Sequence, residues 1–125
     1  MIVFTDGEDQ GSHARLADVE SQLQATDLTL YIVAQGRGNS LAPLKSVMSR
    51  LAEPTGGRAL FTEHIDQLES TFARIVDELS YQYLLRYAPT NMRRDGTYRR
   101  IRVEVKGHDR VRARQGYRAP LGEAR

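Results

Sequence analysis

The sequence predicts an α/β fold, with a parallel Rossmann-like sheet, flanking helices and an antiparallel β tail. Three observations carry this prediction. Short apolar runs at residues 2–4, 28–34 and 58–61 alternate with three amphipathic stretches. Alternation of this kind implies right-handed crossovers between parallel strands. The helical period then stops near Leu79, and a period of two takes over as far as Arg114.

Ile2-Val3-Phe4 is apolar throughout and ends in the polar turn Asp6-Gly7-Glu8-Asp9-Gln10-Gly11. Runs of this type suit parallel strands covered on both faces. Asp6 is therefore expected at the carboxyl end of a central or near-central strand. Ser12 is a candidate N-cap, and Leu16, Val19 and Leu23 recur at spacings of three and four. That spacing predicts a helix over about 13–26. Residues 28–34 are rich in strand formers, and the loop from Gln35 to Asn39 leads to Ser40 as a second candidate cap. Leu44, Val47, Met48 and Leu51 give the next helix, 41–53, its apolar face. Pro54 and Gly56-Gly57 end it. After a third strand, Ile65, Leu68, Phe72, Ile75, Val76 and Leu79 trace a helix over about 64–79.

Beyond it, Tyr81, Tyr83, Leu85 and Tyr87 alternate as one face of a strand, expected to pack on the long helix. Ile101, Val103 and Val105 alternate with Arg100, Arg102 and Glu104, which reads as a half-buried antiparallel strand over 98–106. Gly107-His108-Asp109 reads as a hairpin turn, with a return strand over 110–115. Residues 116–125 read as a loose end.

The composition bounds the function. The chain has 125 residues, 40% hydrophobic and 27% charged, as expected of one globular unit. Cysteine is absent, which removes disulfides, thiolate metal sites and cysteine catalysis. No apolar run approaches the ~20 residues of a membrane span, and nothing reads as a signal peptide. The net charge of +2 divides unevenly. Residues 1–85 carry 6 basic and 12 acidic residues, and residues 86–125 carry 12 and 4. Such asymmetry fits a polyanion partner, or simply two halves that attract each other.

Asp6 is the residue most suggestive of chemistry. In open α/β sheets ligands bind at the carboxyl ends of strands. A carboxylate beside the Thr5 hydroxyl offers the hard oxygens that Mg²⁺ prefers. A plain turn is the competing reading. A haloacid-dehalogenase-type phosphatase would need an aspartate two positions before Asp6, where this chain has Phe4. Gly36-Arg37-Gly38 lacks the third glycine of a dinucleotide fingerprint. His13, His64 and His108 show no ligand spacing and are expected at the surface.

Ile2-Val3-Phe4-Thr5-Asp6-Gly7 resembles the fourth-strand segment of the von Willebrand factor type A (VWA) domain. The later stretches resemble one bacterial branch, the VWFA-related family first described in Acidobacteria. They are residues 51–58 (LAEPTGGR), 75–79 (IVDEL), 83–89 (YLLRYAP), 95–103 (DGTYRRIRV) and 112–117 (RARQGY), and they follow in the family's order. The resemblance implies that residues 1–80 form the C-terminal half of a VWA-like domain, 81–118 a β extension packed on it, and 119–125 a frayed tail. In that family the aspartate of Thr-Asp-Gly belongs to the metal-ion-dependent adhesion site (MIDAS). Asp6 is the one residue that carries over as a metal ligand. The family's Asp-x-Ser-x-Ser loop does not occur in this sequence.

The resemblance thus implies a non-catalytic, metal-dependent protein-binding module with part of its site present. Mg²⁺, or another divalent cation, would bind in the intact parent and not stably in this chain. The partner would be a protein offering an acidic group, and the parent an envelope or secreted bacterial protein. Self-association through an exposed sheet edge is expected of the chain alone. The alternatives are an anionic-surface or nucleic-acid-binding module using the Arg100, Arg102, Arg112 and Arg114 face, which is more simply a solvated strand face, and an aspartyl-phosphate-type hydrolase.

Overall fold

The structure, a computed structural model, describes residues 1–6, 11–36 and 41–122. The expected turn residues 7–10, the cap at Ser40 and residues 123–125 lie outside the described residues. Three strands, β1 (Ile2–Thr5), β2 (Tyr31–Gln35) and β3 (Arg58–Thr62), form a parallel sheet in the order β1-β2-β3. Helices α1 (Leu16–Ala25) and α2 (Leu41–Ala52) make the two crossovers, and α3 (Gln67–Ser80) follows β3. A separate antiparallel pair joins β4 (Tyr98–Arg100) to β5 (Gly116–Arg118). The α/β class with a parallel sheet and an antiparallel tail is as the sequence implies.

Period-two alternation decides what each face of the sheet buries. Leu30, Ile32 and Ala34 pack with Met48 and Ala52 on one face, joined by Val3, Leu23 and Leu44. That face belongs to α1 and α2. Tyr31 and Val33 pack with Ile75 on the other, joined by Ile2, Leu60 and Leu68. That face belongs to α3. β2 is therefore covered on both sides, which its unbroken apolar composition requires.

β1 is not central. It lies at the edge of the sheet, and Phe4 is 57% exposed. An apolar run records a capacity for double cover, but α3 sits over β2 and β3 and leaves Phe4 wet. Ladder geometry also assigns the edge. Tyr31 N donates to Met1 O at 2.9 Å. In a parallel ladder alternate residues face the same neighbour, so Val3 and Thr5 bond to β2, while the N–H and C=O of Ile2 and Phe4 point outward.

Helix starts and stops are set by particular residues. α1 begins at Leu16 with Arg15 as N-cap and no side-chain cap, later than the expected start behind Ser12. α2 runs into a 3-10 turn, Glu53–Thr55, closed by Gly56 at φ 86°. A residue with a Cβ resists that left-handed conformation. Thr55 is 4% exposed and its hydroxyl ties three segments. It donates to Ala52 O at 2.6 Å and accepts from Leu30 N at 2.9 Å. This bond satisfies the amide that precedes β2.

The tail departs most from expectation. Residues 81–88 form no strand, and 98–106 and 110–115 pair only in part. The turn forms as read, with His108 N donating to Val105 O at 3.0 Å. The registers disagree, however. Arg99 faces Tyr117 while Val105 faces His108, so the return side holds three extra residues and the ladder opens between them. Gln115 N is drawn off to Pro54 O at 3.0 Å. The end read as loose is instead tied down. β5 spans Gly116–Arg118, Ala119 is buried, and Gly122 N donates to Arg94 O at 2.9 Å.

One carboxylate couples the tail to the sheet. Glu78 on α3 meets Arg58 Nη2 of β3 at 2.5 Å and Arg112 Nη2 of the tail at 2.8 Å. Burial lowers the Arg58 guanidinium from its ordinary value, and Glu78 opposes the shift. The Glu78→Gln variant keeps the shape and removes the charge, leaving two arginines to repel each other. It is expected to cost about 2 kcal/mol in urea unfolding, reduced from the fully buried case by partial solvent access. An unchanged midpoint would show that the triad contributes nothing.

Candidate functional site

The carboxyl edge of the parallel sheet is built by the strand register. Thr5, Ala34 and Phe61 share one row, and Gln35 faces Thr62 in the next. Asp6 continues that second row on the β1 side. It follows a strand's carboxyl end, as the sequence implied, and it is exposed. Thr62 closes β3 at 3% exposure, and its Oγ1 has no hydrogen-bond partner among the described residues. Gly36 N donates to Thr62 O at 3.2 Å, which joins β2 to β3 just past the ladder.

Simple geometry limits what this row can hold. Neighbouring strands lie about 4.8 Å apart, so β1 and β3 are separated by roughly 9.6 Å. Two oxygens bound to one Mg²⁺ lie within about 4.2 Å of each other, twice the metal–oxygen distance. Asp6 and Thr62 could share an ion only if both side chains reached across β2 toward each other. Among the described residues no group of three or more histidine or acidic side chains could hold a metal. The described residues alone do not make a divalent-cation site.

The other candidates are placed as follows. His13, His64 and His108 are all exposed, as expected. Tyr81, Tyr83, Leu85 and Tyr87 were expected against α3 but stand in solvent, at 74%, 91%, 68% and 59% exposure. Two arginines of the expected basic face are spent internally. The Arg114 guanidinium donates to Leu23 O and Gln24 O, at 3.2 and 3.1 Å, at the carboxyl end of α1. There it offsets the helix dipole. Arg112 is paired with Glu78. Arg99 holds the preceding loop by donating to Asn91 O and Arg93 O. Asp95 accepts from Thr97 Oγ1 at 2.7 Å, and this bond holds its carboxyl below the usual carboxylate range.

Sequence reasoning missed Gln35 and Thr62. Their signal was positional, each being the last residue of its strand, and strand ends are the least legible feature of a sequence. The fold and edge together define an α/β protein whose carboxyl edge, among the described residues, offers no grouped metal ligands. No protein-family model, curated protein or solved structure matches the chain.

Proposed function

We propose that this chain is the C-terminal half of a VWA-like, non-catalytic protein-binding module, with Asp6 as its one contribution to a MIDAS-type metal site. The observation that supports this most is the strand order. A doubly wound sheet of order 3-2-1-4-5-6 has its last three strands adjacent in chain order. β1-β2-β3 has that order, with β1 open on the side where the first strand would lie. The outward N–H and C=O groups of Ile2 and Phe4 are then the docking edge for that strand. The remaining ligands would arrive with it, and the completed module would bind an acidic group on a protein partner. Without that half, the edge invites pairing with another chain.

Magnesium should leave this chain unchanged. A ligand that binds only the folded state stabilises it by RT ln(1 + [L]/Kd). With one carried-over ligand no saturation is expected at millimolar Mg²⁺, so the thermal midpoint should stay fixed. The reading fails if the midpoint climbs saturably with Mg²⁺ and the climb vanishes in Asp6→Ala, because the chain would then hold a complete site.

The basic tail supports a polyanion-binding reading less well, since Arg99, Arg112 and Arg114 are engaged within the protein. No helix among the described residues is long and apolar enough to cross a membrane.

A further inference from the structure

Residues 81–88 have a strand's composition and no sheet. Among the described residues no hydrogen bond engages the backbone of 83–88. Tyr81, Tyr83, Leu84, Leu85 and Tyr87 are 74%, 91%, 80%, 68% and 59% exposed. The segment is held at both ends. Gln82 Nε2 donates to the Tyr31 hydroxyl at 3.5 Å, and at the other end the Tyr87 phenol, raised from its ordinary value chiefly by burial, also feels the neighbouring Tyr117. A tethered, apolar segment with idle backbone groups is a template for another chain segment.

We propose that two copies of this chain associate through residues 81–88, paired antiparallel about a twofold axis that passes through Leu84. An antiparallel strand can pair with its own copy because a twofold interface uses the same patch on both sides. The pattern supports a second copy as the occupant, because Tyr81-Gln82-Tyr83-Leu84-Leu85-Arg86-Tyr87 has the same order of apolar and polar residues read from either end. A tyrosine side chain carries roughly 150–250 Å² and a leucine somewhat less, so these five leave about 700 Å² in water. Side-by-side pairing leaves both faces of the ribbon partly wet and covers about half of this, roughly 700 Å² over the two copies, the scale of a weak, reversible association.

The register follows from what flanks the segment. Centring on Leu84 sets Tyr83 against Leu85, Tyr81 against Tyr87, and Gln82 against Arg86. No arginine then meets its own copy. A shift toward the N-terminus would bring the helical Leu79 into the ladder. A shift toward the C-terminus would bring in Pro89, which lacks the N–H a ladder requires.

This interface is separate from the β1 edge, and the test distinguishes the two. The chain has no cysteine, so single replacements report cleanly. Directly opposed residues in an antiparallel pair have Cα atoms about 4.5–5.5 Å apart, within disulfide reach. Under mild oxidation Leu84→Cys is expected to form a covalent dimer well before Thr90→Cys or Phe4→Cys. In sedimentation equilibrium the unmodified chain should shift toward dimer as its concentration rises, and the double variant Tyr83→Asp/Leu85→Asp should stay monomeric with an unchanged far-ultraviolet spectrum. Should the double variant misfold, the cysteine comparison decides alone. Three outcomes overturn the proposal: a monomer at every concentration, a dimer that survives in the folded double variant, or preferential cross-linking at Phe4→Cys. The last would assign the interface to β1. A monomer that instead co-sediments with phosphatidylserine vesicles would give the same residues to a membrane surface.

Discussion

Replacing Gly57 with alanine is expected to be among the most damaging single changes in this chain. A Cβ at this position would lie 1.9 Å from Leu30 O and 2.6 Å from the Leu30 carbonyl carbon. Both are backbone atoms, so no side chain can rotate away. Leu30 is also the residue whose amide the Thr55 hydroxyl accepts, and it leads directly into β2. Relieving the clash would push the 3-10 turn away from β2 and break that bond. Tertiary losses of this kind reach about 4 kcal/mol or more, against a total stability of about 5–15 kcal/mol for an ordinary domain. The expected result is a chain without a cooperative unfolding transition. A urea midpoint within error of the parent would mean that the turn and β2 do not approach as closely as described.

Ile75→Ala should come next. Ile75 is 0% exposed and is the α3 residue buried against Tyr31 and Val33. Its truncation removes transfer energy and leaves a cavity between rigid elements, at a cost of about 3–4 kcal/mol. Val76, one position on, is 44% exposed on the same helix. The change Val76→Ala should cost less than about 1 kcal/mol, because it opens no cavity. Urea unfolding of the two variants gives the comparison. Equal losses would show that α3 is rotated relative to the sheet.

These pairs show how much was legible in the sequence. The stripe Leu68, Phe72, Ile75, Val76 and Leu79 announces a helix. It does not say which part of the stripe meets the sheet. Ile75 does, while Phe72 and Leu79 remain 45% and 41% exposed. Likewise the motif Glu53-Pro54-Thr55-Gly56-Gly57 announces a helix stop. Only the structure reveals that Thr55 and Gly57 are there for contact with Leu30, a partner 25 residues away from Thr55.

The sequence by itself determined the order and type of the first six elements, the change of period near Leu79, and the position of Asp6 after a strand. These are local properties, written in side-chain periodicity, apolar runs and turn residues. Tertiary structure decided which strand is central, where α3 lies, and which arginines are spent on carbonyls and Glu78. It also decided that residues 81–88 find no ladder and that 116–122 are tied down. Each of these depends on where distant groups lie. A strand forms only if a neighbour offers its backbone in register, and no residue of the segment records whether one does.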